Sequence, residues 1–330
     1  MSLDAVFSPA GPVAGVIAEM GWVLTIGAAA VFALVMALLV WALLRQRAPA
    51  SSADPLANAR GTAGVATRWV VGGGFVFPVV VLSALLAYTA WRTAALTSPR
   101  EADELVITVK ARLWWWEVRY REPTRGIDLV LANQIHLPVG RMVTLGLVSD
   151  EVIHSLWVPA LAGKVDMVPG RVHQLRLRAD QPGTFRGQCA EFCGEQHARM
   201  ALHVVAQTPD EFERWLQQQQ RPAEPPRGAE AERGLQVFGQ QRCGACHTVR
   251  GLGPESSLGP EPESSLGPEL THIGSRSHLG AGTLPMSRAA LVEWVGHTQR
   301  AKPGARMPSY GELLDAASLQ ALAAFLEQLK

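Results

Sequence analysis

Charge is scarce in this sequence. Asp, Glu, Lys and Arg make up 18% of the 330 residues, against about a quarter in an ordinary soluble domain. Neither sign dominates. Thirty basic residues meet 29 acidic ones for a formal net charge of +1, so no bulk field points to nucleic acid. Cysteine is scarce too, at four. All four fall into two close pairs, Cys189/Cys193 and Cys243/Cys246, which leaves none over for a disulfide framework. Pairs at such short spacing point instead to a metal or a cofactor.

What the chain has in excess is apolar surface, 48% of its residues, concentrated in two runs. Trp22–Leu44 and Trp69–Trp91 are each 23 residues without a charge. At helical rise each spans about 34 Å, enough for a hydrocarbon core of about 30 Å. Soluble core helices are seldom this long without a charge, so the runs read as a transmembrane hairpin. Trp22, Trp41, Trp69, Tyr88 and Trp91 stand near their ends, where aromatic rings favour the interface. The connecting loop carries Arg45, Arg47, Arg60 and Arg68 against Asp54 alone. The positive-inside rule puts that loop in the cytoplasm. Both termini, and everything after Trp91, are then expected on the outer, periplasmic side of a bacterial-type cell membrane. The opening MSLDAVFSPAGP lacks a basic start and a separate apolar core, so no cleaved signal peptide is expected.

Past the hairpin (residues 1–99) the pattern changes twice. Residues 100–208 read as strands: LVITVKARLWWWEVRY, RMVTLGLVS, RVHQLRLRA and MALHVVAQ alternate or run apolar, with Pro and Gly between them. That predicts an all-β sandwich or barrel. Within the first segment Trp114, Trp115 and Trp116 should face alternate sides, with Trp115 entering the core and all three packing near the cysteine loop. Residues 209–228 give a short helix, PDEFERWLQQQQ, and a Pro-rich connection, RPAEPPRG, which reads as a semi-rigid spacer. From 229 to 330 the period is helical throughout. PESSLGPE occurs at 254–261 and again at 262–269, a local duplication in a loop.

Two motifs carry chemistry. In Cys189-Ala-Glu-Phe-Cys193-Gly-Glu-Gln-His197-Ala-Arg-Met200, two thiols, an imidazole and a thioether lie within twelve residues. Soft sulfur with imidazole selects copper, zinc or iron–sulfur clusters. A methionine turns the choice from zinc toward copper. One copper of the electron-transfer type needs a single Cys. Two cysteines four apart can each bridge two coppers, and the set then calls for a second His, for which His154 is the candidate.

The other motif, Cys243-Gly-Ala-Cys246-His247, is the attachment signature of c-type haem. Two thiols bind the haem edge and the adjacent His takes the iron. Met307, in KPGARMPSY before the last helix, is the candidate second axial ligand, and Met286 the lesser one. His136, His173, His203, His272, His278 and His297 have no partner motif.

At these residues the chain resembles subunit II of a haem–copper cytochrome c oxidase. The two helices, ARLWWWEVRY, ANQIHLPVGR, DEVIHSLWVPALAGKVDMVPGR and GTFRGQCAEFCGEQHARM carry the likeness over about residues 10–210. The C-terminal region resembles a class I cytochrome c, including the Gly267-Pro268-Glu269-Leu270 turn. In that family the matching proline carbonyl orients the haem histidine.

The resemblance implies a cupredoxin-like sandwich with a dinuclear, mixed-valence CuA centre, followed by an all-α haem c domain. Cys189 and Cys193 would bridge both coppers. His154 and Met200 would complete one copper, and His197 with the Glu191 carbonyl the other. The Glu191 side chain matches a position that reaches magnesium at the border with subunit I. Trp114 matches the aromatic that admits electrons from cytochrome c.

The implied activity is that of an electron-transfer subunit of a terminal respiratory oxidase. Electrons would be taken at haem c and passed through CuA to subunit I, which reduces oxygen to water and pumps protons; this chain would not reduce oxygen by itself. Subunits I and III, an external donor such as cytochrome c or a quinol:cytochrome c reductase, and the membrane are the implied partners. The rivals are a CuA-containing nitric oxide reductase subunit, which differs only in its absent catalytic partner, and a copper carrier, which has no use for haem.

Overall fold

A computed structural model of the chain describes residues 7–45, 64–94, 96, 104–252, 257–258 and 266–330. Arg47, Asp54 and Arg60, on which the orientation argument leans, lie outside the described residues, as does most of the PESSLGPE duplication. The chain divides into two compact units, Val16–Arg100 and Glu101–Lys330 with Met1–Gly15.

The first unit holds two rods, α1 (Pro12–Leu44, less its first four residues) and α2 (Gly64–Ala94), each long and apolar enough to cross a membrane. Both outrun the charge-free stretches that predict them. Within α2, Gly72–Val76 forms a π turn. Pro78 follows one residue later and has no amide to donate, and a widened turn is how a helix absorbs that loss. Arg92 pairs with Glu19, and the Tyr88 hydroxyl donates to Glu19 at 3.0 Å, so polar groups tie the rods together near one end. Arg45 lies over the Trp41 ring and Arg92 over Trp91, the aromatic and cationic pairing suited to a membrane boundary.

The second unit begins with a sandwich of two five-stranded sheets. Its strands are β1 (Leu105–Arg112), β2 (Trp115–Glu122), β3 (Ile127–Ala132), β4 (Gln134–Pro138), β5 (Val143–Ser149), β6 (His154–Trp157), β7 (Lys164–Met167), β8 (His173–Leu177), β9 (Gly183–Cys189) and β10 (Ala201–Gln207). The sheet orders are β3-β2-β1-β5-β8 and β4-β10-β9-β6-β7. The pairs β1/β5 and β4/β10 are parallel. Alternate residues of each strand fill the space between the sheets, among them Ile107, Val109, Val118, Leu145, Leu147, Leu202 and Val204.

The tryptophan run departs from expectation. The chain turns at Leu113 and Trp114, and Arg112 pairs with Trp115 across a hairpin. Trp114 therefore sits in the turn. Trp116, not Trp115, is the fully buried ring. Parity explains it: Trp116, Val118 and Tyr120 share the inward face of β2, all nearly inaccessible. Trp115 takes the other face, half-buried beneath the Arg112 guanidinium.

A helix α3 (Pro209–Gln220) follows, started by a capping box between Thr208 and Glu211. It packs on the sandwich through Phe212 and Leu216. Trp215 lies flat on His136, ring centroids 3.9 Å apart. The Pro-rich connection does not behave as a spacer. The Ala223 amide donates to Arg250 O, the Arg227 amide to Gln328 Oε1, and the Arg250 guanidinium to Gln219 O. Hydrogen bonds along it and at the end of α3 tie it to the helical domain. That domain is built from α4 (Ala229–Gln240), α5 (Arg288–Gly296), the short α6 (Thr298–Ala301) and α7 (Ala316–Gln328). Ser287 and Asp315 cap α5 and α7. Phe238 of α4 meets Phe325 of α7 edge to face at 5.7 Å, the centre of a second apolar core.

Candidate functional site

Strands β6 and β9 are hydrogen-bonded neighbours, with Leu156 paired to Cys189. His154 at the start of one and Cys189 at the end of the other thus come to the same end of the sheet. The loop from Ala190 to Met200 folds back over them. His154 Nδ1 lies 3.7 Å from Cys189 Sγ, and Cys189 Sγ lies 3.7 Å from Cys193 Sγ. His197 Nδ1 is 3.8 Å and Met200 Sδ 4.0 Å from Cys193 Sγ. The Glu191 carbonyl oxygen is 3.2 Å from Cys189 Sγ. All six predicted donors are brought together, and each thiol has one imidazole beside it. His154 and Met200 are essentially inaccessible, and Cys189 and Cys193 nearly so.

The sulfurs are too far apart for a disulfide. Their shared hydrogen bond holds the Cys189 thiol down and, with burial, pushes Cys193 up. Metal binding would displace both thiol protons. Two soft sulfurs, two imidazoles, a thioether and a carbonyl, preassembled and mostly buried, fit copper.

The Glu191 carboxylate points elsewhere. It is exposed and lies 3.4 Å from Lys164 Nζ, which also reaches Asp166. An ammonium occupies that position, and one carboxylate shared with a lysine does not make the octahedral oxygen site that magnesium demands. The residues of this chain alone do not fit that ion.

The second set of residues meets in a cavity of about 350 Å³. Cys243, Cys246 and His247 line it together with Met307. Met286 is not part of its wall. The His247 Nδ1–H donates to Pro268 O at 2.8 Å, which leaves Nε2 with the lone pair a metal needs. Burial lowers the pKa of this imidazole and favours its neutral form. Gly267 lies so close to the ring that a Cβ there would come within 2.6 Å of His247 Cε1. A paired-thiol attachment point, an oriented imidazole and a thioether around one apolar cavity fit a c-type haem.

The wall of this cavity is shared. Leu113, Trp114, Trp115 and Asn133 of the sandwich close it against the helical domain. Trp114 also reaches the copper-type cluster, because its indole N–H donates to Cys193 O at 2.8 Å. Gly194, with φ +111°, keeps room for that ring: a Cβ there would come 3.1 Å from the indole. One aromatic side chain thus touches both places where cofactor-binding residues converge.

A model of the cytochrome c oxidase subunit II periplasmic domain matches residues 123–207, and a cytochrome c model matches residues 231–330. Cytochrome c oxidase subunit 2 of Alkalihalophilus pseudofirmus is 34% identical over 260 residues, 77% of this chain and 71% of that protein. This chain belongs to the cytochrome c oxidase subunit II family. The subunit 2 of Bacillus sp. (strain PS3) is 29% identical over 270 residues, covering 77% of this chain and 72% of its own. The solved periplasmic domain of subunit II from Bradyrhizobium japonicum is 27% identical, with 36% of this chain and 95% of that one covered and a TM-score of 0.34.

For a subunit II the sandwich and the two apolar helices are the expected body, and the helical domain adds the cytochrome. Several residues at the junction between sandwich and cytochrome had no signal in the sequence. Lys302, Gln196 and Arg199 make polar contacts across it, and His203 stacks on His278 at 4.1 Å. Their partners are mostly backbone carbonyls, which leave no side-chain pattern to read.

Proposed function

We propose that this chain relays single electrons within a membrane-bound terminal oxidase, from the cytochrome cavity to the Cys189/Cys193 cluster and on to subunit I. Haem c and a dinuclear copper centre, held there, would each supply a one-electron couple. Trp114 carries the reading: it walls the cavity that holds Cys243 and Cys246 and is hydrogen-bonded to Cys193 O.

The protein's own residues do the positioning. Cys243 and Cys246 fix the haem edge, and His247 is aimed by Pro268 O. Met307, in the wall of the same cavity, would be the second iron ligand. Cys189, Cys193, His154, His197, Met200 and the Glu191 carbonyl would hold the copper centre, which would supply a one-electron couple. Burial of Cys189, Cys193, His154 and Met200 keeps most water from these donors. In this reading Trp114 is where electrons reach the sandwich, the helices α1 and α2 anchor the chain in a bacterial cell membrane, and both cofactor domains with both termini face the periplasm. Subunit I, with subunit III beside it, accepts the electrons and carries oxygen reduction and proton pumping, while an external cytochrome c or a quinol:cytochrome c reductase supplies them. Tethering the cytochrome replaces a diffusional encounter by a high local concentration.

Electron paramagnetic resonance of the copper-loaded chain tests the reading. One unpaired electron shared by two coppers gives a seven-line hyperfine pattern. The four-line pattern of a single copper would contradict it.

A further inference from the structure

The cytochrome domain meets the sandwich through a short strap, residues 301–304, that ends three residues before Met307. The strap lies on the loop between Cys193 and Met200. Arg199 Nη1 donates to Ala301 O at 2.8 Å, and Gln196 Nε2 donates to Pro303 O. Gly304, with φ +78°, is so close to Glu195 that a Cβ there would overlap its carboxylate. Beside the strap, the Ala201 amide donates across the junction to Ala281 O at 2.9 Å.

Lys302 is the centre of this contact. Its side chain is 3% exposed. Nζ donates to Trp114 O at 2.7 Å, to Arg199 O at 2.8 Å and to Gly280 O at 3.1 Å. An ammonium has three N–H groups, and all are used. Two acceptors belong to the sandwich and one to the cytochrome. The Trp114 carbonyl belongs to the same residue whose indole reaches Cys193 O.

We propose that Lys302 is the positioning residue that locks the cytochrome against the copper loop and holds Trp114 between the two cofactor sites. The proposal rests on the relay reading above. A buried cation is tolerated only when fully hydrogen-bonded. The three carbonyls converge on one point only while the domains are docked, so the cost of burying the charge is offset in that arrangement alone. Undocking would strip the ammonium of two of its acceptors at once. A hydrophobic contact would hold the domains together but would not fix their register. Three directional bonds from one atom do.

The test is Lys302→Met in the complete oxidase, which keeps the stem and removes the donors. Amide hydrogen exchange at Ala201 reports docking, because its acceptor is Ala281 O across the junction. Exchange there should rise about tenfold or more. Electron transfer from haem c to copper should slow by about tenfold. The copper resonance and the methionine-to-iron absorption band should be unchanged, and Lys302→Arg should restore part of the protection.

Exchange and transfer both within about twofold of wild type, with both cofactors bound, would overturn the proposal. If Lys302→Met does not retain haem, Arg199→Ala removes one tie to the same strap. It should then raise Ala201 exchange about threefold, and no rise would overturn the proposal. A wild-type oxidase that binds both cofactors yet passes no electron between them would instead defeat the relay reading, while the exchange measurement would still decide the role of Lys302.

Discussion

The Trp114 indole N–H donates to the carbonyl of Cys193 at 2.8 Å, across 79 residues of sequence. The same ring walls the cavity that collects Cys243, Cys246, His247 and Met307. Replacing Trp114 by Ala removes both the hydrogen bond and the aromatic bridge. Haem-to-copper transfer should slow by about tenfold with the copper spectrum unchanged. Flash-induced kinetics of the variant check it, and equal rates would take Trp114 off the path.

The neighbouring rings separate packing from transfer. Trp116 is fully buried and stands edge-on to His154 at 6.3 Å between centroids. Trp116→Ala should destabilise the sandwich by about 3–5 kcal/mol. Trp115 is only half-buried, and Trp115→Ala should cost less than about 2 kcal/mol. Denaturant unfolding of the two variants measures the difference; a larger loss for Trp115 would contradict the register of β2.

Met307 shares the cavity with His247. Met307→His substitutes a nitrogen donor that stabilises ferric iron, so the potential should fall by on the order of a tenth of a volt or more. Redox titration checks the shift, and loss of the sulfur-to-iron band checks the ligand. A surviving band would direct attention to Met286.

His136 is buried, stacked on Trp215 and hydrogen-bonded to Gln207. Burial pushes its pKa down to about 4 from 6.5. The unfolded chain therefore binds a proton that the folded one refuses between those values. Stability from this residue is intact above about pH 6.5 and is lost as pH falls toward 4, by about 3 kcal/mol in all. Thermal unfolding against pH should be correspondingly flatter for His136→Gln; an unchanged slope would place the acid sensitivity elsewhere.

Much of this was legible in the sequence because the chemistry is local. Cys189, Cys193, His197 and Met200 lie within one loop, Cys243, Cys246 and His247 within another, and the apolar runs announce α1 and α2 by length alone. The tryptophan run was harder. Only the parity of Trp116, Val118 and Tyr120 reveals that the strand begins after Trp114, and the turn that interrupts LVITVKARLWWWEVRY contains no Gly or Pro. Short strands such as β6 and β7, four residues each, are too brief for alternation to register. Lys302 was invisible for a different reason. Its acceptors are carbonyls 188, 103 and 22 residues away, and any residue supplies a carbonyl.

The most direct test of the relay is to inject one electron into haem c of the assembled oxidase by a light pulse and follow the haem and copper absorption together. Haem c should reoxidise in step with copper reduction, in a first-order process whose rate is independent of oxidase concentration and of added soluble cytochrome c. A haem that stays reduced while copper is reduced only by added donor would contradict it.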